Sequence, residues 1–176
     1  MELQGYVQQI KDLVQKGNYT RAEAVFYVAV ADEGRKVFGV GSHAPYSKLQ
    51  PFVDALDKSG LWGHIAKMKP DTQPIRFVQE IIHNRNSIIP NISGISAETV
   101  INILEEANKK GITDRRNMVD VVKEYIPKGQ MKRDSRIKEW YEDIYSLAVG
   151  KTWQNMPMPK RQDVAMTGVH KEKAVV

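Results

Sequence analysis

Cysteine is missing from all 176 residues, which excludes disulfides, thiol nucleophiles and thiolate-bound zinc or iron–sulfur clusters. No apolar run approaches the length needed to cross a bilayer, so no membrane span is expected. The opening MELQGYVQQIKDLVQ lacks the basic and then apolar layout of a signal peptide. The expected location is therefore the cytoplasm or, for a viral chain, the virion. Phosphate-cradling glycine loops are missing too: GVGS at 39–42 has neither the Walker lysine spacing nor the dinucleotide fingerprint. Of four histidines, His43, His64 and His170 are isolated in sequence. Serines and threonines fall largely at caps and turns, so nucleophilic catalysis has no anchor. Neither a cofactor nor a metal is expected.

What is present suits one globular domain. Hydrophobic residues make up 41% and charged residues 27%, ordinary values that argue against disorder of the whole chain. Leu3, Tyr6, Val7, Ile10, Leu13 and Val14 repeat at helical spacing up to Gly17-Asn18. Thr20-Arg-Ala-Glu23 has capping-box spacing and predicts the start of a second helix. The body of that helix is apolar nearly all round, as a central helix would be, although VFYVAV also favours strand. Further helices are predicted from Pro51 to Ser59 and from Thr72 to Asn84, with a further turn or two over Leu61 to Met68 before Pro70. Others follow Ser96 as far as Gly111, run from a Thr113 cap to Pro127, and extend from Ser135 to Val149. Six or seven amphipathic helices with short connectors predict an all-α, bundle-like domain over 1–150.

Charge is concentrated. Between Lys109 and Lys138 stand ten basic residues and four acidic ones, an excess larger than the +5 of the entire chain. A polyanion selects such a segment, because each neutralised phosphate releases counterions. The expected nucleic-acid contacts are Lys109, Lys110, Arg115, Arg116, Lys128, Lys132, Arg133 and Arg136. Within this region ANKKGITDRRNMVDVVKEYI resembles a helix-turn-helix, with Arg115, Arg116 and Asn117 in the first turn of the second helix. It departs from that pattern at Asn117, where an apolar residue usually packs the second helix. Trp140, Tyr141 and Ile144 share a helical face and are expected in the core, leaving Tyr145 off it.

Two stretches suggest other chemistry. Glu80-Ile-Ile-His83 sets a carboxylate and an imidazole at the spacing used by di-iron bundles. Those sites need a second such motif, and the sequence has none. Asp32-Glu33-Gly34, ahead of Gly39-Val40-Gly41, resembles the local arrangement of phage-type lysozymes. There a glutamate at a helix end is the general acid, usually with a second carboxylate across the cleft. The resemblance is confined to this short stretch and implies Glu33 in that role. The next acidic residue, Asp54, lies inside a predicted helix, and the expected β-hairpin is not predicted.

After Gly150 the periodicity ends. Residues 151–176 carry two prolines, a glycine and scattered methionines, and predict an extended arm. Pro157 and Pro159 would keep it extended while Trp153, Met156, Met158 and Met166 fit apolar grooves of a neighbouring copy. The expected function is a non-enzymatic structural protein that self-assembles and associates with the nucleic-acid backbone, such as a viral coat or packaging protein. Two alternatives stay open: a helix-turn-helix regulator and a lysozyme-like glycosidase using Glu33.

Overall fold

A computed structural model describes residues 2–39, 45–68, 70–88, 95–112, 114–127, 129–130, 136–137, 139–140 and 144. Every regular element among them is helical, in agreement with the all-α prediction: α1 Leu3–Gln15, α2 Tyr19–Phe38, a 3-10 turn Tyr46–Lys48, α3 Gln50–Lys58, α4 Trp62–Met68, α5 Pro74–His83, α6 Arg85–Ile88, α7 Ala97–Lys110 and α8 Arg115–Tyr125. The predicted arm over 151–176 lies outside the described residues.

The fold is organised around α2, which packs against α1, α5, α6 and α7. From Ala22 to Ala31 no residue is more than 2% exposed. A helix apolar on every side can satisfy its surface only by being surrounded. The small residues Ala22, Ala24, Ala29 and Ala31 let neighbours approach, while Phe26 and Tyr27 fill the space between helices. Phe77 of α5 completes that centre, with ring centroids 6.1 Å from Phe26, 5.9 Å from Tyr27 and 5.9 Å from Trp62. Helix wins over strand in VFYVAV because burial on all sides suits a helix in a bundle and no strand partner exists among the described residues.

The start of α2 corrects the capping-box expectation. Asn18, not Thr20, is the N-cap, its side chain accepting from the Arg21 amide at 3.4 Å. Glu23 cannot return to a cap because it points into the core and is nearly fully buried. At α8 the cap is Asp114, whose Oδ1 accepts from the Asn117 amide at 2.8 Å. The expected cap, Thr113, lies outside the described residues. Ser96 caps α7 as predicted, accepting from the Thr99 amide at 3.1 Å. Gly111 ends α7 in the left-handed region (φ 60°, ψ 44°), which only glycine adopts without a Cβ penalty.

The predicted helix over Thr72 to Asn84 ends as α5, and the chain re-enters a helix at once as α6, which the sequence pattern did not suggest. This junction fits against α2 because Gly34 has no side chain. A Cβ there would come 2.6 Å from Ile82 Cδ1 and 4.0 Å from Arg85 Cδ. Farther along, Ile137, Trp140 and Ile144 are buried, as their spacing predicts. Tyr141 and Tyr145 lie outside the described residues.

Candidate functional site

The predicted nucleic-acid residues begin at the α7–α8 hairpin, where Gly111 turns the chain and Met118, Val121, Val122 and Ile126 pack inward. Lys109 and Lys110 reach solvent, with side chains 58% and 49% exposed, yet both are engaged locally. Lys109 Nζ is 2.9 Å from Glu105 and Lys110 Nζ is 2.7 Å from Glu106, each one helical turn earlier. Lys110 also lies 3.5 Å from Glu124 of α8. The hydrogen bond with Glu106 holds the Lys110 ammonium above its ordinary range.

Both glutamates have further partners. The Tyr125 hydroxyl donates to Glu106 at 2.7 Å, which pushes the phenol up to about 12. Glu105 is shared with Arg21 of α2, whose Nη1 donates to it at 2.7 Å and to Asn102 at 2.9 Å, while Nη2 meets Glu98. Burial raises the Glu105 carboxyl, but the hydrogen bonds from Lys109 and Arg21 outweigh it and hold it below the usual glutamate range. The structure thus places Lys109 and Lys110 inside an acid-rich network that ties α7 to α2 and α8.

The other predicted contacts divide. Arg115 and Arg116 open α8, with Arg116 exposed. Arg136 is also exposed, whereas Lys128, Lys132 and Arg133 lie outside the described residues. The exposed side chains of α8 include Arg116, Asn117, Asp120, Lys123 and Glu124, two basic and two acidic. Asn117 donates its side-chain amide to Asp114 Oδ2 at 2.7 Å, so its amide group is engaged in its own helix start.

The stretches with possible enzyme or metal chemistry fall as follows. Glu33 is 2.7 Å from Lys36, and Asp32 accepts the Tyr6 hydroxyl at 3.0 Å, linking the end of α2 to α1. In the Glu80-Ile-Ile-His83 pair the carboxylate is fully buried while His83 is exposed, so the two share no environment. No group of three or more residues able to hold a metal occurs among the described residues.

A polar centre that sequence reasoning missed lies beneath α4. Glu23 and Glu80 are both buried near Tyr27, and burial followed by these two carboxylates drives the Tyr27 phenol well above its ordinary range. His64 stacks on Tyr19 (centroids 4.1 Å apart, planes 5° from parallel), with Nε2 4.0 Å from Glu23. That distance is beyond a hydrogen bond. Burial and then Lys67 keep the imidazole below its usual range. The available signal was a lone carboxylate within an apolar run, in AEAVFYV and again in FVQEII.

No family model, curated protein or solved structure matches the chain.

Proposed function

We propose that this is a non-enzymatic helical structural protein that associates with nucleic acid, as a viral coat or packaging protein does. The contact runs through the residues from Arg115 to Arg136. The observation that carries this reading is the engagement of Lys109 and Lys110 by Glu105, Glu106 and Glu124. It leaves the excess charge of the basic segment on the residues that follow the Gly111 turn. Backbone contacts of this kind fix position without reading sequence. The mixed charge on the exposed face of α8 favours such contacts over base recognition. Self-assembly is the second half of the proposal. Its support is the unpatterned stretch from Trp153 to Val176, with its prolines and methionines, suited to lying along a neighbouring copy.

The test compares two charge reversals by titrating random-sequence duplex and single-stranded RNA across a salt series. Changing Lys132, Arg133 and Arg136 to Glu should weaken binding and flatten the salt dependence, by roughly 0.9 in log–log slope for each duplex phosphate that is no longer neutralised. Changing Lys109 and Lys110 to Glu should leave the slope nearly intact. Wild-type protein that binds neither polymer, or a slope that the first variant leaves unchanged, would refute the nucleic-acid reading. Light scattering with and without nucleic acid, on the full chain and on a chain ending at Gly150, tests assembly. A truncated chain that still forms particles would remove the arm from the proposal.

A further inference from the structure

The first turn of α2 and the first half of α4 meet at the surface in a flat pair of rings. The Tyr19 phenol and the His64 imidazole stack with centroids 4.1 Å apart and planes 5° from parallel. Large apolar side chains are otherwise withdrawn from water: among the described residues only Tyr19, at 37%, and Val37 are exposed. The imidazole covers one face of the phenol, so the part of Tyr19 left in water lies on the side away from it. His64 itself keeps 28% of its side chain in solvent. The core does not need the pair to hold α4, since Ile65 is buried and Trp62 reaches Phe77. Two cations stand nearby. Lys67 is exposed one turn after His64 on α4, and Lys16 is exposed in the turn that leads into α2. The carboxylate beside the rings, Glu23, is sealed beneath them at 2% exposure and meets nothing from solvent.

From this geometry we infer that Tyr19, backed by His64, is a stacking platform for one unpaired nucleobase, with Lys16 and Lys67 beside it to meet phosphate. The site rests on the proposed association with nucleic acid and gives that association a preference for single strands. Every base has a π-face, so stacking on an aromatic side chain is indifferent to sequence and suits a protein that holds backbone elsewhere. Bases inside a duplex are already stacked on their neighbours and cannot lie on the rings. The platform therefore adds affinity only for unpaired nucleotides.

The test measures binding of the full chain to random-sequence single-stranded RNA and to random-sequence duplex at one salt concentration. Tyr19→Leu keeps an apolar side chain but removes the π-face; it should weaken single-strand binding about tenfold and leave duplex binding unchanged. Tyr19→Trp, which keeps a ring, should bind single strands as wild type does. In wild type, adding single-stranded RNA should shift the His64 ring protons upfield as a base joins the stack. Equal losses of Tyr19→Leu on both polymers, or no loss on either, would overturn the platform. If Tyr19→Leu does not fold, unmoved His64 protons at saturating RNA would overturn it instead. Single-strand binding that falls on reversal of Lys132, Arg133 and Arg136 but not in Tyr19→Leu would remove the platform and keep the nucleic-acid reading. Wild type that binds neither polymer would remove both.

Discussion

Helices α2 and α8 are both capped by an Asx side chain at the N-terminus, yet they relate to their surroundings in opposite ways. Around α2 the chain wraps helices on all sides, and ten consecutive residues are sealed from water. Helix α8 buries Met118, Val121 and Val122 on one stripe and leaves Arg116, Asn117, Asp120, Lys123 and Glu124 to solvent. From Ala22 to Ala31, therefore, packing constrains every position, whereas on α8 half the surface can change without touching the core. A protein divided this way keeps its shape with one part and tolerates change in the other.

The largest effect should come from emptying the centre of the packed region. Phe77→Ala removes the ring that meets Phe26, Tyr27 and Trp62, and denaturant unfolding should show a loss of about 3–5 kcal/mol. Lys123→Ala on the exposed side of α8 should stay within about 0.5 kcal/mol. Similar losses at the two positions would erase the contrast between the helices.

An intermediate effect is expected where α2 is tied to α7, the helix against which α8 packs. Arg21→Ala releases Glu98, Asn102 and Glu105 at once and should cost about 2 kcal/mol. The tie should also respond to pH. Because the Glu105 carboxyl sits below its ordinary range in the fold, its contribution is complete above the unfolded value of about 4.3. It is lost as pH falls further, through the folded value. Glu105→Gln should therefore flatten the decline in stability below about pH 4.3. Parallel acid profiles for wild type and variant would show that the link is not electrostatic.

The smallest effect separates the two possible caps of α2. Asn18→Ala should cost about 0.5–1 kcal/mol, since its hydrogen bond is long, while Thr20→Ala should change stability by less than about 0.5 kcal/mol. The reverse order would restore the capping box suggested by Thr20 and Glu23.

Much of the fold was legible because apolar spacing and stop residues are local signals. Leu3 to Val14, Val100 to Ala107 and the glycines at 17, 60 and 111 all mark helices that the structure contains. Cap identity was less legible, because Thr20-x-x-Glu23 has the right pattern but burial claims the glutamate. Helix α6 escaped notice since Arg-Asn-Ser-Ile has no period to detect. The candidate sites were legible only in part. The Glu105–Lys109 and Glu106–Lys110 pairs are visible as i,i+4 spacings and would have qualified the predicted basic surface. The link from Arg21 to Glu98 and Glu105 spans 77 and 84 residues, and no local pattern announces it. Buried Glu23, Glu80 and Arg85 run against the general rule that charge lies outside, so composition points away from them.

The wrapping of α2 also has a consequence in time. Its last residue, Phe38, leaves the ribosome long before Ile126, the buried residue that follows α8. At a synthesis rate of about 5–20 residues per second, the roughly ninety intervening residues take about 4–18 s. For most of that interval α2 has α1 beside it and the α7 face of its sheath still incomplete. The nascent chain therefore makes a helix destined for burial early and covers it late, and a chaperone matters most while α3 to α7 are being made.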